Sequence, residues 1–111
     1  MSETAVPDRK IARVLEALRP LGPEQVYLFG SRARGEADDL SDLDLVVIHR
    51  TTSPFLSRLE EVARLLPAEL GAVDLLVYTP EEFARMLEEG NAFAEMIVEE
   101  GRIIYGREAG H

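Results

Sequence analysis

The chain has 111 residues, of which 12 are Lys or Arg and 21 are Asp or Glu, so its formal net charge is −9, and 46% of its residues are hydrophobic. This balance is typical of a folded globular domain, and an acidic chain without clustered Lys and Arg argues against direct nucleic-acid binding. The absence of cysteine excludes disulfides and thiolate metal sites, and no apolar run approaches the roughly 20 residues of a membrane span. We therefore expect one domain over residues 1–111, with the cytoplasm as its default compartment and no contact with a membrane.

The first half of the chain predicts one helix and two strands. Apolar residues at helical spacing favour a helix from about Pro7 to Leu18. A short run of strand-forming residues follows at 26–29 and stops at Gly30. After a polar stretch at 31–41, the segment Leu43–Ile48 is apolar on both faces, which predicts a buried central strand.

The second half predicts a strand between helices. Ser53–Pro54 opens a helix, and Val73–Tyr78 reads as a third strand. The run Thr79–Glu82 has the pattern of a helix start, with Thr at the N-cap, Pro at the first position and Glu at the third. A further helix ends at Gly101, and Arg102–Tyr105 is a candidate last strand. The order predicts an α/β (α+β) fold with a small sheet covered by helices.

Three aspartates stand at the starts of predicted strands. Asp42 and Asp44 are two residues apart, so their side chains share one face, and Asp74 begins another apolar strand. Neighbouring carboxylates repel, and Mg²⁺ removes that cost because it prefers carboxylate oxygens and commonly takes substrate phosphates as further ligands. The pattern favours a metal site with open positions, although solvated strand-end carboxylates are the alternative reading. Asp38 and Asp39 lie in the polar stretch and are interpreted as solvated.

A second candidate feature follows the first strand. Gly30 lets a phosphate approach the backbone closely, and Ser31 can cap a following helical turn whose N–H groups attract anions. Arg32 and Arg34 add positive charge there. An ordinary helix cap is the alternative, but a phosphate-binding turn next to a carboxylate metal site is what metal-assisted triphosphate chemistry requires.

Other kinds of site are poorly supported. The chain has no Gly-x-x-x-x-Gly-Lys run for a P-loop. His49 and His111 are too few for a histidine zinc site, and we expect the former at a strand end and the latter at a frayed terminus. No nucleophilic triad can be assembled convincingly from the serines and these two histidines.

The runs Gly30–Gly35 and Ser41–Leu45, followed by Asp74, resemble the motifs of the DNA polymerase β-like nucleotidyltransferase superfamily. In length and layout the chain is similar to a minimal nucleotidyltransferase (MNT) domain, from about Pro7 to Tyr105. The resemblance implies a small mixed β-sheet flanked by helices.

The resemblance also assigns roles to residues. Asp42 and Asp44 would ligate two Mg²⁺ ions, with Mn²⁺ as the alternative, and Asp74 would complete one metal site and help to activate an acceptor hydroxyl. The reaction would transfer a nucleoside monophosphate, AMP from ATP, with release of pyrophosphate. Gly30 and Ser31 would hold the β- and γ-phosphates of the nucleotide. Arg32 and Arg34 are further candidate nucleotide-binding residues, and the role of Arg34 is either a phosphate contact or an internal ion pair.

Many minimal members of this family act as the antitoxin of a pair with a HEPN toxin, and some adenylylate a tyrosine on it. Because 111 residues leave no room for an acceptor-binding domain, the acceptor is either small or a partner protein. We expect a partner protein and a hetero-oligomer. The alternative is an inactive antitoxin that docks on a basic partner. That interpretation comes from residues 80–100, where seven acidic residues and one arginine give a charge of −6.

Overall fold

The computed structural model describes residues 9–29, 43–70 and 73–106, without the side chains of Arg9 and Glu69. In these ranges the chain forms helices at α1 (Arg9–Leu18), α2 (Phe55–Ala63), α3 (Pro80–Glu88) and α4 (Ala92–Glu100). Its strands are β1 (Gln25–Phe29), β2 (Leu43–Ile48), β3 (Val73–Tyr78) and β4 (Arg102–Tyr105). Short 3-10 turns lie at Arg19–Leu21 and Ala68–Leu70.

The strands form one mixed sheet in the order β3-β2-β1-β4. Strand β2 is antiparallel to β1 and parallel to β3, while β4 is antiparallel to β1. A parallel pair needs a crossover connection, and the segment containing α2 supplies it between β2 and β3. The sheet confirms the predicted mixed α+β architecture, with β2 in the interior as its two apolar faces indicate.

Each face of the sheet has its own apolar cluster. On the first face, Val14 and Leu18 of α1 and Val62 of α2 pack against Leu45 and its neighbours. On the second face, α3 and α4 cover a second apolar cluster. Its buried members are Tyr27, Val46, Ile48, Phe83, Ala94 and Ile97. The second cluster also contains tilted aromatic pairs, with Phe83 lying 5.9 Å from Tyr27 between ring centroids.

A buried arginine ties α2 to the second face. Arg58 is only 7% exposed, and its guanidinium pairs with both carboxylate oxygens of Glu82, at 2.6 and 2.9 Å. The same group donates to the backbone oxygens of Ser53, at 2.9 Å, and Val77, at 3.2 Å. These bonds join the start of α2, the end of β3 and the first turn of α3.

The capping box predicted for α3 is present. The Thr79 hydroxyl accepts from the Glu82 backbone N–H at 3.1 Å, and the Glu82 carboxylate accepts from the Thr79 N–H at 2.9 Å. Glu82 therefore serves both the helix cap and the buried arginine.

Most predicted boundaries are confirmed to within two residues. The last strand, predicted only as a candidate, is present as β4. The described part of the first helix begins at Arg9, and the predicted start at Pro7 lies outside the described residues. His49 follows β2 directly and is half-buried, as expected for a strand end. Each helix of the described chain is far shorter than a bilayer crossing requires.

Candidate active site

Two of the three predicted aspartates are neighbours in the sheet. Asp44 on β2 and Asp74 on β3 are direct partners in the parallel pair, and adjacent strands lie about 4.8 Å apart. Paired residues of adjacent strands project to the same face. Asp44 is half-buried and Asp74 is exposed, so the pair lies at the surface of the sheet end.

The pleat of the two strands explains why both carboxylates are on this face. Leu43 and Leu45 are fully buried in the first cluster, so alternation turns Asp44 to the opposite side. Val73 and Leu75 pack against the same cluster, which turns Asp74 in the same direction. Both aspartates therefore lie on the second face of the sheet, which α3 and α4 cover. Along each strand, the aspartate precedes the apolar residues that lie under these helices.

An aromatic pair lies on the other side of Asp44. Phe29, the last residue of β1, is the antiparallel partner of Asp44, so Phe29, Asp44 and Asp74 form one row across three strands. The Phe93 ring, from the first turn of α4, meets the Phe29 ring edge-on, with centroids 5.8 Å apart and planes at 87°. The chain leaves β1 and enters β2 at this same end of the sheet.

The structure brings together only part of the predicted site. Asp44 and Asp74 are placed side by side, whereas the remaining site residues lie outside the described ranges; these are Gly30, Ser31, Arg32, Arg34 and Asp42. Their roles stay predictions. In sequence, Gly30 directly follows the last residue of β1, and Asp42 directly precedes β2. The loop aspartates Asp38 and Asp39 are also outside the described residues.

The donor chemistry of the row fits a hard divalent cation. Two neighbouring carboxylates repel each other, and oxygen donors are the ligands that Mg²⁺ prefers. The residues described here contain no group of three or more His, Cys, Asp or Glu side chains that could hold a metal by themselves. Two of the three predicted ligands lie in the described part, so a complete site requires a further donor, and Asp42 is the predicted one.

Sequence reasoning missed the aromatic neighbours of this site. Phe29 packs against the second cluster, and its place in the row also brings it beside Asp44. The one local signal was that Phe29 precedes Gly30 directly. Phe93 is far away in sequence, and only the packing of α4 brings its ring to this end.

Comparison with known proteins shows the family of this chain. Residues 8–105 match the family described as "Nucleotidyltransferase domain". The chain belongs to this family. No curated protein sequence matches it significantly.

Solved structures with a similar fold include members of toxin–antitoxin complexes. The chain is 25% identical to one described as "the toxin-antitoxin with AMP-PNP", with a TM-score of 0.62 over 88% of this chain and 74% of that one. A putative nucleotidyltransferase from Sulfolobus solfataricus is 24% identical, with a TM-score of 0.55 over 99% and 94% of the two chains. A mutant of the MntA–HpeT toxin–antitoxin is 20% identical, with a TM-score of 0.57 over 88% and 74%. The last two support the fold alone.

Proposed function

We propose that this nucleotidyltransferase domain transfers AMP from ATP to a hydroxyl acceptor, with release of pyrophosphate. The observation that carries the proposal is the register of β2 and β3, which makes Asp44 and Asp74 neighbours on one face of the sheet end. A protein stabilised only by its core has no use for two adjacent like charges there. The match to the nucleotidyltransferase family supports the same reading.

The proposed roles follow from position. Asp44 and Asp74, together with Asp42, would hold Mg²⁺, or Mn²⁺, against the triphosphate. The bound cations would neutralise charge on the phosphates during the reaction. Gly30 and Ser31, which follow the end of β1, would bind the β- and γ-phosphates.

The acceptor would approach from the β3 side. Asp74 is exposed, and its strand is at the edge of the sheet, so a large acceptor can reach it. We assign Asp74 to help activate the acceptor hydroxyl. The hydroxyl proton would pass to water with the help of Asp74 as the acceptor oxygen bonds to the α-phosphorus. The bond from that phosphorus to the bridging oxygen would break, and pyrophosphate would leave with its electron pair. Arg32 and Arg34 are proposed to contact the phosphates, with an internal ion pair as the alternative for Arg34.

A partner protein is the proposed acceptor. The similar structure described as a toxin–antitoxin was obtained with AMP-PNP, an ATP analogue, which supports both ATP as substrate and a toxin as partner. We propose that the partner is a HEPN-type toxin, that a tyrosine on it receives AMP, and that the two chains form a hetero-oligomer.

Label transfer tests this proposal. The protein is incubated with the product of the adjacent gene, Mg²⁺ and ATP labelled at the α-phosphate, and label on the partner is measured. We expect labelling by the wild type and by Glu16→Gln, a control on the exposed side of α1, but not by Asp42→Asn. Labelling that survives Asp42→Asn would contradict the assigned mechanism.

A specific observation favours a second candidate function, inhibition by docking alone. The carboxylates of Glu88, Glu89, Glu95, Glu99 and Glu100 are exposed and make no ion pair within the described ranges. Such a surface fits a basic partner. If docking alone neutralises the partner, Asp42→Asn will inhibit it as well as the wild type does, and association will weaken strongly with salt. Loss of inhibition in Asp42→Asn would favour the enzyme.

A further inference from the structure

Strand β3 lies at one edge of the described sheet, so half of its backbone groups have no neighbouring strand there. The His49 N–H donates to the Tyr78 carbonyl at 2.9 Å, so the backbone groups of Tyr78 point towards β2. In a parallel pair, the N–H and C=O groups of one residue point the same way, and successive residues alternate. The backbone groups of Val73, Leu75 and Val77 therefore point outward, away from β2.

The two ends of this edge differ in how they are covered. At the far end, Arg58 donates to the outward Val77 carbonyl at 3.2 Å, and Val77 is fully buried. At the near end, beside Asp74, no described residue hydrogen-bonds the outward groups of Val73 and Leu75. The side chains of these two residues are only partly buried. We call residues 73–75 the β3 open edge.

The opposite edge of the sheet has the features that protect an edge strand, and β3 has none of them. Strand β4 is four residues long, begins with Arg102 and shows a register shift between its partners Val26 and Tyr27. Short strands, bulges and charged residues hinder an edge from pairing with another chain. Strand β3 has six residues in unbroken register with β2, and its one charged residue, Asp74, belongs to the candidate active site. Within the described chain, the β3 open edge is therefore free to pair.

We propose that the β3 open edge binds the acceptor segment of the partner protein as an added strand. This inference rests on the proposed function, because it takes the acceptor to be a hydroxyl side chain on a protein. An extended segment supplies the N–H and C=O groups that the outward groups of Val73 and Leu75 require. Its residue opposite Asp74 projects to the same face, with about 5 Å between Cβ atoms. A hydroxyl side chain there extends the row of Phe29, Asp44 and Asp74 by one strand.

A second copy of this chain is the alternative occupant of the edge, and charge disfavours it. Each copy carries a formal charge of −9, so two copies repel each other. Pairing of two β3 edges would also cover Asp74 in both copies and keep an acceptor away from it. A segment of a different protein meets neither obstacle.

Residue-resolved amide hydrogen exchange tests the added strand without any substitution. In the free protein, the outward amides of Val73 and Leu75 should exchange fast, whereas those of Asp74 and Leu76, which point towards β2, should exchange slowly. Binding of the product of the adjacent gene should slow the two outward amides by at least about tenfold and leave the inward pair unchanged. A complex in which neither outward amide is slowed overturns the inference. Slowing that appears in the free protein as its own concentration rises would assign the edge to a second copy, and would overturn it too.

A proline at position 75 tests the same contact by kinetics. Proline is tolerated in an edge strand where its missing N–H faces away from the sheet, so Leu75→Pro removes one outward donor and keeps the pairing with β2. It should raise the KM for the partner roughly tenfold and change kcat far less, whereas Leu75→Ala, which keeps the N–H, should stay near the wild type. Equal KM values in the two variants would contradict the added strand.

The two experiments separate this inference from the proposed function. AMP transfer to a partner whose binding leaves both outward amides unprotected would refute the added strand alone. Protection of those amides without any AMP transfer would contradict the proposed function and leave the docking edge in place.

Discussion

Replacement of Arg58 by methionine tests how this small fold is held together. Methionine keeps an unbranched apolar stem but removes the charge and all four hydrogen bonds, including the paired contacts to Glu82 at 2.6 and 2.9 Å. Breaking a buried ion pair by removing one partner costs about 3–5 kcal/mol. The Glu82 side chain is 38% exposed and water can solvate part of it, so we expect the lower end, about 3 kcal/mol.

The corresponding change in melting temperature is large. The unfolding entropy is about 2.1 cal/mol/K per residue. For a chain of 111 residues, a loss of about 3 kcal/mol in the free energy of unfolding therefore lowers the melting temperature by about 13 °C. Thermal and urea unfolding, followed by far-ultraviolet circular dichroism in dilute solution, measures both quantities. The control is Arg64→Met on the same helix, whose side chain is exposed and whose pair is loose, so its cost should stay below about 0.5 kcal/mol. Equal stability of the two variants would refute the argument that the buried network stabilises the fold.

Three further predictions concern the same framework. The Arg58 hydrogen bonds hold the Glu82 pKa below its ordinary value of 4.5. The ionised carboxylate therefore stabilises the fold above pH 4.5, and this stability is lost as the pH falls towards the lower pKa of the folded state. Melting curves measured against pH should show a shallower loss of stability in acid for Glu82→Gln than for the wild type. Thr79→Ala removes the N-cap acceptor of α3 and should cost about 1 kcal/mol by urea unfolding, whereas Thr79→Ser should restore most of it. Gly106 has a φ of 90°, and a Cβ there would lie 2.1 Å from the Glu24 backbone oxygen. Gly106→Ala should therefore lower the melting temperature, and an unchanged melting temperature would contradict the described geometry.

The fold could be predicted largely because local patterns agree with it. The capping residues from Thr79 to Glu82 and the unbroken apolar run Leu43–Ile48 are local signals, and both are confirmed. The order of strands was not predicted, because a strand's pattern shows that it is buried but not which strand lies beside it. Only the register shows that Asp44 and Asp74 are direct neighbours.

Long-range contacts could not be predicted from single positions. Arg58 reads as an exposed helical residue, yet it is buried because α2, β3 and α3 place backbone oxygens and Glu82 around it. Likewise, a ring on α4 reaches Phe29 only through tertiary packing.

Asp44 and Asp74 are proposed to act together at one catalytic site. The rate of AMP transfer to the partner, with ATP labelled at the α-phosphate, tests it most directly in Asp44→Asn, Asp74→Asn and the double variant. Residues that act as a unit are strongly non-additive, so each single substitution should abolish nearly all transfer and the double variant should be little worse. Wild-type transfer by either single variant, or losses that simply multiply in the double variant, would contradict the claim.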